Sequence, residues 1–60
     1  MSNEDKLKRA YVAGYRVGQG KECKSVYEAS LRSAGKAAQV EFTKGQLKGI
    51  QDLKDGKSEY

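Results

Sequence analysis

Cys23 is the single thiol of the chain, and it stands between Glu22 and Lys24. A nucleophilic cysteine needs its pKa pulled down by a neighbouring cation or a helix N-terminus. Lys24 and a helix starting near Val26 would supply both. A base is missing: the 60 residues contain no His, the commonest general acid and base. No other combination of side chains forms a nucleophile, base and orienting group. One Cys cannot close an internal disulfide. One Cys without His cannot furnish the four ligands of a structural zinc site. The run Gly18-Gln19-Gly20-Lys21 has the composition of a phosphate cradle. It lacks the Gly-x-x-x-x-Gly-Lys-Ser/Thr spacing and follows a helical pattern instead of a strand, so it reads as a turn. These residues point away from an enzyme, and no metal or cofactor is expected.

What remains is binding chemistry, and charge dominates it. Twelve Lys and Arg against eight Asp and Glu leave a net charge of +4, shared equally between the two halves of the chain. A basic balance attracts a polyanion such as RNA or a ribonucleoprotein surface. Lys6, Arg9 and Arg16 fall on one side of a helix at about 100° per residue, with Lys8 beside them. They are the candidate phosphate contacts. Tyr15 and Tyr27 are the candidate stacking residues for exposed bases. Lys44 and Lys48 are weaker candidates, because Glu41 and Asp52 stand three and four residues away and can pair with them. No apolar run approaches the roughly 20 residues that span a bilayer, and no signal-peptide core is present. A cytoplasmic protein without membrane contact is expected.

Two helical patterns position these groups. The first covers about 3–17, with Ser2 as cap, Asp5 three residues on, and acidic Glu4 and Asp5 at the positive end of the dipole. Leu7, Ala10, Tyr11, Gly14 and Gly18 share one arc, with Tyr15 and Val17 at its edges and Val12 outside it. A turn over 18–25 follows. Ser25 and Glu28 form a capping box, and a helical region runs over about 26–54. Tyr27, Leu31, Ala34, Ala38, Phe42, Gly45, Gly49 and Leu53 keep one face in phase, widened by Leu47 and Ile50. Gly35 costs about 1 kcal/mol against Ala in a helix interior. The region is therefore either one long helix, bent there, or two helices broken there. An unbroken rod would overhang the first helix and expose its stripe, which would favour a homodimer. Gly56 ends the region, and 56–60 reads as a frayed tail. The result is a single all-α domain, an antiparallel helical hairpin whose second helix is kinked or broken near Gly35. With 37% apolar residues, its core must be thin.

Both helical patterns carry the spacing aromatic-x-x-Gly-x-x-x-Gly: Tyr11, Gly14 and Gly18, then Phe42, Gly45 and Gly49. Helical glycines lower stability, so two matched pairs call for a reason. Four-residue spacing puts each pair on one face, where a second backbone can approach. In lipid such spacing marks helix pairing; neither helix here is apolar enough for that setting, so the contact belongs inside the fold.

The run Arg9-Ala10-Tyr11-Val12-Ala13-Gly14-Tyr15-Arg16-Val17-Gly18-Gln19-Gly20-Lys21-Glu22 resembles the first helix of the ribosome modulation factor family. That family opens on Arg-Ala-aromatic-x-x-Gly-Tyr-x-Ala-Gly. It repeats aromatic-x-x-Gly-x-x-x-small in its second helix, as Phe42, Gly45 and Gly49 do here. The chain departs from the family in its connector, where Cys-Pro-Tyr has no counterpart beyond Cys23 and, four residues later, Tyr27; in its second helix, where the family's Trp is Phe42; and in a longer stretch between the connector and the second repeat. The resemblance implies a small basic helical hairpin that binds the small ribosomal subunit near the messenger exit region and promotes ribosome dimerisation and dormancy. The expected function is a non-enzymatic regulator on an RNA or ribosome surface. The alternative is a protein-binding module that inhibits or adapts a larger enzyme, as small phage and mobile-element proteins do. Such a module would present Leu47, Ile50 and Leu53 to a groove on its partner.

Overall fold

The computed structural model describes residues 3–60. Three helices follow one another: α1 (Asn3–Gly18), α2 (Ser25–Ala34) and α3 (Lys36–Lys54). The described residues contain no strand, so the all-α expectation holds. The Ser2 cap lies outside the described residues. Glu4 and Asp5 occupy the first turn of α1 and Arg16 its last, each sign matching the dipole. No helix is long and apolar enough to cross a membrane, among the described residues.

Gly18 is the last residue of α1, and the chain reverses two residues later. Gly20 takes φ +79°. The Lys21 N–H reaches back to the Arg16 carbonyl at 3.0 Å, and the Gly20 N–H to Val17 at 3.0 Å. This pairing of a long and a short return bond closes the helix, and it needs a residue tolerant of positive φ. At the end of α3 the N–H groups of Lys57 and Gly56 return to Asp52 and Leu53 in the same way. The expected stop at Gly56 is therefore present.

The start of α2 differs from expectation. Ser25 is already helical, Lys24 occupies the cap position in a right-handed conformation, and no side chain caps the helix. The Ser25–Glu28 capping box does not form, because a capping side chain needs extended backbone at its own residue.

At Gly35 the helical region breaks. The glycine adopts φ 97° and ψ 173°, a region open essentially to glycine alone. α2 and α3 then fold back on each other. The Gln39 amide donates to the Leu31 carbonyl at 3.2 Å, and the rings of Tyr27 and Phe42 sit 5.8 Å apart. These pairs run in opposite directions along the chain, so the antiparallel hairpin is the one formed by α2 and α3.

The two glycine-bearing helices, α1 and α3, lie backbone on backbone. Gly14 faces the Phe42 carbonyl and Gly18 that of Gln46; Gly45 faces the Tyr11 carbonyl and Gly49 that of Tyr15. Each motif places its first glycine on the carbonyl of the other motif's aromatic. The partners advance in the same direction on both helices, so α1 and α3 run side by side in parallel, with α2 as the return. This corrects the expectation that the two motif helices would be antiparallel. With α1 at 16 residues and α3 at 19, no long overhang arises, and the argument for a homodimer that rested on one is removed.

The core is as thin as the composition requires. Tyr15, Ala38 and Phe42 are its buried hydrophobic residues, and the motif glycines complete it. Leu53, Leu47 and Ile50 were expected to extend the buried stripe; they are exposed. Val12 is half-buried, against the expectation of an exposed side chain. The C-terminal segment is pinned instead of frayed: the Glu59 N–H donates to the Tyr15 hydroxyl at 3.0 Å. Lys21 Nζ donates to the Ser58 hydroxyl at 2.8 Å and to the Tyr60 carbonyl at 2.9 Å. The ring of Tyr60 meets that of Tyr15 edge-on at 5.2 Å.

Candidate nucleic-acid interface

The outer face of α1 and the inner face of α2 border two adjoining grooves. One, of about 550 Å³, is lined by Asp5, Lys8, Arg9, Val12, Ala13, Arg16 and Tyr27. The other, of about 700 Å³, has an apolar floor that includes Ala10, Ala13, Ala34, Ala38 and Phe42, with Lys6 and Arg9 among its lining cations. Arg9, Ala13 and Tyr27 belong to both. The fold thus brings together Lys6, Lys8, Arg9, Arg16 and Tyr27, all singled out from the sequence. Lys6, Lys8, Arg9 and Arg16 are exposed on this face.

Tyr27 and Arg16 share a partner that the sequence reading missed. The Tyr27 hydroxyl donates to the Glu22 carboxylate, and Arg16 Nη1 pairs with the other oxygen of Glu22 at 3.6 Å. The hydrogen bond to Glu22, with burial second, pushes the Tyr27 hydroxyl above its usual pKa of 10.0. It therefore stays a protonated donor at physiological pH. Glu22 leaves the turn after α1 and reaches back five residues short of Tyr27. No local pattern marks it, because the pairing depends on how the turn folds.

Tyr15 does not belong to this face. Its side chain is fully buried, and its hydroxyl donates to Asp52 Oδ2 at 2.5 Å. A residue enclosed in this way cannot stack on a base, so the stacking role expected of it is withdrawn. Asp52 also accepts from Lys48 Nζ at 3.2 Å. The Tyr15 hydrogen bond holds the Asp52 carboxyl below its usual range; burial opposes this, and Lys48 adds to it. On the Tyr15 side, burial comes first and the Asp52 hydrogen bond second in raising the phenol. Nearby, Gln19 is buried, and its amide donates to the Gly49 carbonyl at 2.6 Å. This cluster ties α1 to α3 and is structural.

On the far side of α3, Lys44 pairs with Glu41 at 3.3 Å, so both expected pairings of the α3 lysines are present. Leu47 is 64% exposed, and Ile50 and Leu53 are exposed with it. Leu47 shares a shallow groove with Val40 and Thr43. Cys23 is exposed and free. Among the described residues, no group of three His, Cys, Asp or Glu could hold a metal ion.

Compared with protein-family models, curated proteins and solved structures, the chain gives no match.

Proposed function

We propose that this protein is a small non-enzymatic regulator that binds an RNA or ribosome surface through the outer face of α1. The observation that carries the reading is the convergence of Lys6, Lys8, Arg9 and Arg16 with Tyr27 around two adjoining grooves. A line of cations neutralises successive phosphates, and an aromatic ring beside them offers a surface for a base. The resemblance of residues 9–22 to the ribosome modulation factor family supports the same class of partner, and such a regulator would work in the cytoplasm. Fluorescence anisotropy with labelled RNA tests it. Affinity should fall steeply between low and moderate salt, and Arg9→Ala should weaken binding and flatten that dependence. Binding that ignores salt, or no binding, contradicts the reading.

A second reading has its own observation. Leu47, Ile50 and Leu53 are exposed on α3, away from the basic face, and would serve a protein partner. A stoichiometric protein that stays bound after nuclease treatment, and is lost with Leu47→Glu, would favour it.

A further inference from the structure

The two grooves differ in what they can hold. The smaller one carries Lys8, Arg9 and Arg16 together with the carboxylate of Asp5, and its apolar lining is limited to Val12, Ala13 and Tyr27. The larger one combines an apolar floor with cations on its border. It exists because α2 is fastened to α3, through the break at Gly35 and the Tyr27–Phe42 ring contact, and the space between α1 and α2 is left unfilled. Small side chains leave it open: Ala10 and Ala13 come from α1, Ala34 from α2 and Ala38 from α3.

Resting on the RNA reading above, we infer that this larger groove receives an unstacked nucleobase of a single strand, with Lys6 and Arg9 on the flanking phosphates. Methyl groups of alanine make up much of the lining, with Leu31, Ser30 and Ser33 beside them. A planar ring covers small side chains of this kind with its whole face. Phe42 closes the floor, and the half-buried Tyr27 ring supplies an aromatic edge. Every base has a π-face, so contacts of this kind carry little sequence preference. A duplex keeps its bases stacked and offers only phosphates, which would leave the apolar floor uncovered. The charge on the border fits a polyanion, and the net charge of +4 has the same sign.

The test compares three labelled probes on the full chain by anisotropy at one salt concentration: a short single-stranded RNA, the same sequence fully paired, and the same strand with abasic sugars. The single strand should bind about tenfold tighter than the abasic strand, the scale of one base on an aromatic surface. It should also bind tighter than the duplex. Ala34→Leu, which fills the groove, should erase that preference while the residual binding keeps its salt dependence; circular dichroism reports whether the variant folds. If intact protein binds strand, abasic strand and duplex equally, the base site is wrong while the phosphate contacts stand. If no RNA probe binds, the RNA reading falls with it. If an unlabelled acidic peptide binds and displaces the strand more strongly than unlabelled strand does, the groove belongs to a protein partner and the inference is overturned.

Discussion

Gly14 rests against the carbonyl oxygen of Phe42, so close that a Cβ at position 14 would collide with it. The reciprocal contact sets Gly45 on the Tyr11 carbonyl. Backbone cannot move aside as the end of a flexible side chain can. Gly14→Ala and Gly45→Ala should each destabilise the fold by about 1–3 kcal/mol or more, as overpacking does. In a domain of this size each kcal/mol lowers Tm by about 4–8 °C. Thermal melts followed by circular dichroism read this directly. An unchanged Tm for either variant would mean that the two helices do not touch there.

A different cost applies at Gly35. Open space surrounds it, and its φ of 97° is the constraint. Gly35→Ala should cost about 1–3 kcal/mol through backbone strain alone. Urea titration should show a lower midpoint with an unchanged slope, since the same surface is exposed on unfolding. A variant as stable as the parent would mean that the helical region runs unbroken through position 35.

The buried Tyr15–Asp52 pair gives stability a pH dependence with a definite sign. Asp52 has its pKa lowered from the ordinary 3.8 by the Tyr15 hydrogen bond, against the opposing effect of burial and with help from Lys48. Its contribution is therefore complete above that ordinary value and is lost as pH falls through the depressed folded value. Asp52→Asn should lower Tm at neutral pH and flatten the acid limb of the Tm–pH curve. Tyr15→Phe should lower Tm as well, and the double variant should lose less than the two single losses added, because the residues share one interaction. An acid limb of the same steepness in Asp52→Asn would show that other carboxylates govern it.

Glu22 occupies two donors that a phosphate would otherwise use, Arg16 and the Tyr27 hydroxyl. Under the RNA reading, Glu22→Gln removes the competing negative charge. Affinity for single-stranded RNA should rise, and the salt dependence should steepen by about one phosphate contact. Weaker binding would show that Glu22 positions Arg16 instead of masking it.

Some of this architecture was legible in the residues, and the boundary is physical. Gly14, Gly18, Gly45 and Gly49 announced a close backbone contact, because glycine inside a helix is unfavourable without one. They could not announce its direction: a four-residue step names a face and reads the same from either end, so the parallel course of α1 and α3 needed the three-dimensional structure. Phase across Gly35 could not choose between a bent helix and a broken one, for a related reason. The apolar stripe stays in step from Ala34 to Ala38 whether or not the backbone between them is helical. Lys6, Lys8, Arg9 and Arg16 were found by periodicity because all lie on α1. Tyr15 was misplaced because the acceptor that draws it inward, Asp52, is 37 residues away. The groove itself was invisible, since its lining is contributed by three helices.

Amide chemical-shift mapping of the labelled protein, titrated with single-stranded RNA, tests the central claim most directly. Shifts should cluster at Lys6, Arg9, Ala13, Tyr27 and Ala34 around the α1–α2 grooves, and the signals of Val40, Leu47 and Ile50 should stay in place. Shifts centred on Leu47 and Ile50, or none anywhere, would contradict the assignment of the binding face to α1.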